Sequence, residues 1–143
     1  MAYDVPQLLR MSQAQLDELF TNSGAGEIPN GEAKGTAIVA PGTTYTEDIA
    51  ELISHFAWQG KTFDAKHGVL RNRILVFGLN AIIAKVYKAP SWLDGKECIV
   101  LDYSETSLLA RWIRDEIRQI GPGQYLGKVY WEKKRLIDFA LQF

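Results

Sequence analysis

The sequence lacks the features that define several large functional classes. Its 16 Lys and Arg against 17 Asp and Glu leave a net charge of -1, which favours neither nucleic acid nor an anionic membrane surface as a partner. The longest apolar stretch, residues 74–84, is interrupted by Gly78 and Asn80. It is shorter than the roughly 20 residues that a membrane-spanning helix needs. We therefore predict no nucleic-acid partner and no membrane span.

The reactive groups are as sparse as the charge excess. Cys98 is the one cysteine, so an internal disulfide is excluded, and its alternating apolar neighbours predict a small core residue. His55 and His67 are too far apart in the chain to have metal-ligand spacing. Neither a G-x-S-x-G elbow nor a phosphate-binding loop is present. We predict no metal and no cofactor, and hydrolase and kinase functions are not supported.

The N-terminal part combines a short helix with an irregular loop. The first residues lack the apolar core and cleavage site of a secretory leader, so we expect a cytoplasmic protein. Ser12 and Gln15 have capping-box spacing, and Leu16 and Phe20 then share one helical face. We predict residues 1–34 to form this helix and loop within a single domain spanning 1–143. Capping-box spacing recurs further along and predicts a second helix over 45–58.

The rest of the chain has the pattern of short antiparallel strands. Asp94-Gly95 is a clear hairpin signal, because glycine readily adopts the positive φ of a tight turn. By contrast, residues 132–135 join two apparent strands without any glycine. The β-rich segments are 36–40, 69–77, 80–88, 96–104, 113–120, 124–131 and 135–143. Their succession predicts a meander.

The segment 113–120, Ile-Arg-Asp-Glu-Ile-Arg-Gln-Ile, fits either a helix or a strand. Ile113, Ile117 and Ile120 have helical spacing. As a strand, the segment would place Asp115 on one face and Arg114, Glu116 and Arg118 on the other. We favour the strand, which Gly121-Pro122-Gly123 would end in a hairpin, and leave open which face points inward.

Four short landmarks make the chain distantly similar to the GXWXG-type domains of unknown function. The landmarks are Trp58, Gly60, Lys61 and Phe63 in residues 55–64, Asp115 and Arg118, Leu126 and Gly127, and the terminal aromatic strand. The naming motif is absent, because no Trp follows Gly35. The resemblance implies a lipocalin-like (calycin-like) barrel that holds an apolar or amphipathic molecule, and it implies no chemistry.

Together these patterns predict a mainly β protein, a small antiparallel lipocalin-like β-barrel of about eight strands with two short helices. Closing the sheet would remove the exposed edges of a meander, and about eight strands leave room for side chains or one small ligand. An open α+β cone of the NTF2-like type is the alternative. It would preserve a cavity but change which strands line it.

Polar side chains on neighbouring predicted strands are the candidate site. Carboxylates beside arginines and phenols can perform acid–base chemistry when an apolar wall shifts their pKa values. The candidate catalytic residues are Glu116 and Asp102. The candidate ligand-binding residues are Lys85, Tyr87, Tyr103, Arg114, Asp115, Arg118, Tyr125 and Trp58.

Three functions fit this pattern. The first is binding of a hydrophobic or amphipathic small molecule in the barrel cavity. The second is an isomerase or cyclase that acts on such a molecule, with Glu116 or Asp102 moving a proton. The third is an interaction protein that uses Trp92, Trp112 or Trp131 as interface anchors. Whether the protein is an enzyme, and whether it forms a homodimer, stays open.

Overall fold

A computed structural model describes residues 3–38, 61–72, 82–105 and 111–143. These residues form two short helices followed by eight strands. The helices are α1 (Val5–Leu9) and α2 (Gln13–Thr21), and the strands are β1 (Gly31–Ile38), β2 (Lys61–Asp64), β3 (Val69–Asn72), β4 (Ile82–Pro90), β5 (Glu97–Asp102), β6 (Ile113–Gly121), β7 (Gln124–Trp131) and β8 (Lys134–Gln142). None of the helices in these ranges is long and apolar enough to cross a membrane.

The eight strands form a closed antiparallel barrel in sequence order. Each strand pairs with the next one along the chain, and β1 pairs with β8, with Gly35 opposite Leu141 and Ile38 opposite Asp138. Closure pairs the edges that an open sheet would expose. The predicted β-barrel is therefore confirmed, and the open cone is excluded.

Segment 113–121 is a strand, as predicted, and not a helix. It pairs with β5, where Ile117 lies opposite Ile99, and with β7, where Ile117 lies opposite Gly127. Two neighbouring strands thus satisfy its backbone N–H and C=O groups, which outweighs the helical spacing of its isoleucines. Gly123, at φ +66°, completes the predicted hairpin.

One hairpin turn was predictable from the sequence and another was not. Gly95 has φ +73° in the turn between β4 and β5, as its Asp-Gly signal predicted. The turn between β7 and β8 places Glu132 at φ +48° and Lys133 at φ +76°. These are the left-handed values of a two-residue hairpin turn, adopted here without the Gly or Asn that usually marks one. The turn was therefore invisible in the sequence.

The largest other differences from the sequence prediction are at β1 and β2. β1 begins at Gly31, five residues before the predicted strand at 36–40, because Gly31 pairs with Phe63 of β2. β2 was not predicted as a strand, since four residues are too few to show a clear alternation. The predicted helix over 45–58 lies outside the described residues.

The N-terminal helices cover one side of the barrel. α2 has the predicted capping box, with the Ser12 hydroxyl accepting from the Gln15 N–H and the Gln15 side chain accepting from the Ser12 N–H. Its buried Leu16 and Phe20 pack against the barrel wall in an outer apolar layer. The wall residues of that layer are Ile38, Cys98, Val100, Leu126 and Ala140. As predicted, Cys98 is a buried core residue, and burial raises the pKa of its thiol to about 12.

The strands alternate between this outer layer and a second core inside the barrel. On β5, Ile99 and Leu101 belong to the inner core, whereas Cys98 and Val100 belong to the outer layer. The buried strand residues of the inner core are Ala33, Phe63, Leu70, Ala84, Val86, Ile99, Leu101, Ile113, Ile117, Tyr125, Phe139 and Leu141, and the neighbouring Tyr103 belongs to the same cluster. This alternation decides which charged residues face the interior.

Candidate functional site

Two buried charged side chains of the described residues lie inside the barrel. Lys61 of β2 lies two residues before Phe63, and Asp115 of β6 lies two residues from both Ile113 and Ile117. Residues two apart on a strand share a face, and Phe63, Ile113 and Ile117 belong to the inner core. Lys61 is 2% exposed and Asp115 5% exposed. Isolated charges are costly to bury, and the charges of Lys61 and Asp115 each favour the ionised form of the other.

Asp115 is held by Tyr103, which lies just beyond the end of β5. The fully buried Tyr103 donates a hydrogen bond from its hydroxyl to the Asp115 carboxylate. Burial raises the pKa of Asp115 to about 7, although the charge of Lys61 and the hydrogen bond from Tyr103 oppose that rise. Near neutral pH the carboxyl group can therefore exist with or without its proton.

One oxygen of Asp115 has no hydrogen-bond partner among the described residues. Oδ1 is buried and accepts no hydrogen bond from any described residue. A buried acceptor left unpaired costs roughly 1 to 3 kcal/mol. Such an atom in an otherwise paired structure calls for an explanation, and a bound group is one.

The ammonium group of Lys61 lies over the aromatic ring of Phe139. Its Nζ is 5.8 Å from the centroid of the Phe139 ring, within the range of a cation–π contact. Burial lowers the pKa of Lys61, and the charge of Asp115 opposes that shift. The pair is thus mutually stabilising in an apolar setting.

Gly127 makes room for the Phe139 ring. The two residues lie opposite each other on β7 and β8, and a Cβ at Gly127 would lie 2.2 Å from the ring. No side chain larger than hydrogen fits without displacing Phe139. Gly127 of the Leu126-Gly127 landmark therefore has a structural role, because it lets the Phe139 ring lie against the β7 backbone.

Tyr125 belongs to an aromatic cluster at one end of the barrel. The Phe143 ring makes edge-on contacts with Phe63 at 5.5 Å and with Tyr125 at 5.6 Å between ring centroids. The Tyr125 hydroxyl donates to the Glu27 carbonyl at 2.7 Å. Tyr125 therefore faces the interior, while its polar end fastens the segment before β1.

Arg114, Glu116 and Arg118 point away from the interior, which corrects the idea that this charged face could line the cavity. Strand alternation places them outside, because Asp115 and Ile117 face inward. Glu116 is fully buried there, and it accepts from the Ser91 hydroxyl at 2.6 Å, from the Trp92 N–H at 2.8 Å and from Arg114. Its surroundings are those of a structural anchor for the turn after β4.

Arg118 joins three elements on the same outer face. Its guanidinium donates to both carboxylate oxygens of Asp94 at 2.7 Å, and to the carbonyls of Phe20, Lys96 and Glu97. It therefore ties α2 and the turn between β4 and β5 to β6. Arg118 thus pairs with Asp94, whereas the neighbouring Arg114 pairs with Glu116.

Asp102, Tyr87 and Lys85 also lie on the outer wall. Tyr87 is 37% exposed and donates its hydroxyl to Asp102 at 2.7 Å, and burial together with that bond raises the pKa of Tyr87 to about 12. Lys85 pairs with the exposed Glu105. The geometry separates this group from Tyr103 and Asp115, so the predicted residues form two sets.

The remaining aromatic candidates divide in the same way. Trp58 lies outside the described residues. Trp92 and Trp112 are each 46% exposed, whereas Trp131 packs against the inner core. Arg114 stacks over Trp92 with its Cζ 4.3 Å from the ring centroid, which ties that Trp to the outer wall.

Sequence reasoning did not select Lys61 or Phe139 as site residues. Lys61 stood in the Trp-x-Gly-Lys-x-Phe landmark, but its strand was too short to show which way the side chain points. Phe139 resembled any core aromatic residue. The signal that could have found Lys61 is its place on the same inner face as Asp115, which requires the barrel register, whereas Phe139 carries no such signal.

Comparison with known proteins supports the fold. Neither a family model nor a curated protein matches the chain, so kinship with GXWXG-type domains stays a prediction. A crystal structure of a protein from Thermomonospora curvata is similar, with a TM-score of 0.61 and 12% sequence identity. The match covers 92% of this chain and 87% of that chain. At this identity the likeness shows the shared barrel alone.

Proposed function

We propose that the barrel binds one small, mainly apolar molecule in its interior, anchored through Asp115. The observation that carries this proposal is the unpaired Oδ1 of a buried carboxylate on a mainly apolar inner face. Ligand sites are typically apolar surfaces with a few precisely placed polar groups, and Lys61, Asp115 and Tyr103 have that arrangement.

The cost of the arrangement supports a functional role. Replacing a buried ion pair with apolar residues of similar volume is often neutral or stabilising. Lys61 and Asp115 therefore add little to stability compared with an apolar pair. A ligand that donates to Oδ1 would satisfy the remaining acceptor and offset part of the cost.

Binding of a neutral hydrophobic dye tests this proposal. N-phenyl-1-naphthylamine should fluoresce more strongly on adding the protein, and Ala84→Phe, which fills the inner face, should abolish the increase. Arg71→Phe adds the same ring on the outer side of the neighbouring strand and should leave dye binding unchanged. Circular dichroism checks that both variants fold. Dye binding that survives Ala84→Phe in a folded protein would contradict an interior site.

A second candidate function is an acid–base isomerase of the same interior. It is favoured by the pKa of Asp115, about 7, which suits a group that both removes and returns a proton near neutral pH. Asp115 would take a proton from an apolar substrate and return one to another carbon, with no net redox change. In this reading Asp115 replaces Glu116 and Asp102 as the catalytic carboxylate.

Deuterium exchange separates the two candidates. Small molecules extracted from the host are incubated with the protein in D₂O, and mass spectrometry identifies those that gain deuterium. An isomerase should label a compound in an Asp115-dependent way, so Asp115→Asn should abolish labelling while Glu116→Gln, if folded, retains it. Labelling that needs Glu116 and survives Asp115→Asn would exclude this assignment.

A further inference from the structure

The inner face also restricts the charge of the molecule that it binds, an inference that rests on the proposed binding function. Among the described residues, Lys61 and Asp115 are the buried charged groups that face inward. The other buried ions, Glu116, Arg118, Lys128 and Asp138, alternate to the outer face. The described part of the inner face therefore carries one cation and one anion, whose charges attract each other.

A charged ligand would disturb this balance. A carboxylate close to Lys61 would also face Asp115, and an ammonium close to Asp115 would also face Lys61. Either would leave one uncompensated charge among apolar side chains, where charges interact strongly and are poorly solvated. A neutral polar group leaves the pair intact.

The geometry also sets the direction of the hydrogen bond. Tyr103 already donates to the Asp115 carboxylate, and the atom left over, Oδ1, is an acceptor. An ionised carboxylate has no proton to donate. A ligand that completes the site must therefore bring a donor, and an ether or ester oxygen cannot do so.

From these observations we infer that the barrel selects uncharged amphipathic molecules whose polar end is a hydrogen-bond donor, an alcohol or phenol hydroxyl. The donor bonds to Asp115 Oδ1, and the apolar part contacts the inner core around Phe139. Hydrogen bonds to charged acceptors are among the stronger ones in proteins. The barrel should therefore bind an alcohol clearly more tightly than a similar molecule that has no donor.

Four probes of equal chain length test the inference by displacement of N-phenyl-1-naphthylamine. They are 1-octanol, octyl methyl ether, octanoate and octylammonium, compared at pH 8, above the pKa of about 7 at which Asp115 ionises. We expect octanol to bind the wild-type protein about tenfold or more tightly than each of the others. This comparison needs no variant.

Variants then assign the preference to the pair. Lys61→Met with Asp115→Leu removes both charges of the pair together, and it should reduce the octanol preference over the ether to about twofold or less. Glu97→Gln removes an exposed carboxylate and should keep the wild-type ranking. Infrared difference spectra of the wild-type protein should show a shifted carboxylate stretch on adding octanol.

The outcomes distinguish the inference from the function on which it rests. Dye displacement with equal affinities, or tightest binding by octanoate or octylammonium, overturns the inference and leaves interior binding standing. An octanol preference that persists in the double variant also overturns it, because the donor would then bind elsewhere. Failure of the dye and of every probe to bind overturns both.

Discussion

The inner and outer walls of the barrel both bury ionic groups, but they do so differently. On the outer wall, Lys128 donates to Asp138 at 2.7 Å and to Asp17 at 2.6 Å, and Arg118 makes five hydrogen bonds. Inside, Asp115 keeps a buried oxygen that accepts no hydrogen bond from any described residue. Burial and charge alone therefore do not distinguish the proposed binding site; the unpaired acceptor is the feature that does.

The outer network has a clear structural purpose. Asp17 lies on α2, and it accepts from Lys128 of β7 and from Arg135 of β8 at 3.0 Å. Hydrogen bonds from Lys128 and Gln13 lower the pKa of Asp17, although its partial burial acts to raise it. The network fastens the N-terminal helices over the apolar layer that includes Phe20. Every buried side-chain nitrogen and oxygen of this network has a hydrogen-bond partner among the described residues.

The largest effect is expected at the outer wall. Arg118→Met should lower the free energy of unfolding by about 3 to 5 kcal/mol, because it strands Asp94 and three backbone carbonyls. Urea unfolding measures the change. The double variant Lys61→Met with Asp115→Leu removes both members of the inner pair. It should change the free energy of unfolding by less than Arg118→Met does. A loss under about 1 kcal/mol for Arg118→Met would show that the outer network is not structural.

A smaller effect on stability is expected where the Phe139 ring packs against β7. Gly127→Ala should lower the free energy of unfolding by about 1 to 3 kcal/mol, because its methyl group would overlap the Phe139 ring. Thermal unfolding measures the change. Gly24→Ala is the matched control, since nothing lies within 4 Å of its added carbon. Equal melting temperatures for the two variants would contradict the proposed packing of Phe139.

The two walls should respond to pH with opposite signs. The folded-state pKa of Asp115 is raised to about 7, so its contribution to stability is full below pH 4 and is lost as pH rises through 7. A hydrogen bond from Arg118 lowers the pKa of Asp94, so the contribution of Asp94 is present above pH 4 and is lost as pH falls through its lower value. One proton gives a slope of at most about 1.4 kcal/mol per pH unit.

Urea unfolding from pH 3 to 8 separates these contributions. Asp115→Asn should remove the fall in stability between pH 5 and 8, and Asp94→Asn should reduce the fall below pH 4. If Asp115→Asn keeps the wild-type fall above pH 5, then Asp115 is not the buried acid described here.

The smallest effect concerns the hydroxyl that holds Asp115. Tyr103→Phe should lower the free energy of unfolding by about 1 kcal/mol, the usual value of one hydrogen bond. The hydrogen bond from Tyr103 lowers the pKa of Asp115, so its loss should raise that pKa further. Carbon-13 NMR titration of the Asp115 carboxyl group measures the shift. An unchanged or lower pKa would mean that Tyr103 does not bond to it.

Much of the architecture was predictable because local patterns determine it. The capping box at Ser12 and Gln15, the Asp-Gly turn and the alternation in β5 each matched the structure. The hairpin at Glu132 and Lys133 was not readable, because it uses left-handed backbone without glycine. Short β2 gave no periodic signal.

The site was only partly predictable, for a different reason. The candidates Tyr103, Asp115 and Tyr125 lie inside, whereas Arg114, Glu116 and Arg118 lie outside. Alternation along a strand separates two faces but does not say which one points inward. Both faces of β6 are buried here, because the N-terminal helices and the turn after β4 cover the outer one. That long-range covering is absent from any local pattern.

The most direct test of the inner site is a crystal structure of the protein grown with 1-octanol at pH 8. The account predicts electron density for the alkyl chain inside the barrel, with the hydroxyl oxygen about 2.7 Å from Asp115 Oδ1. Octanol bound only on the outer wall, or Oδ1 occupied by a side chain of the barrel itself, would contradict it.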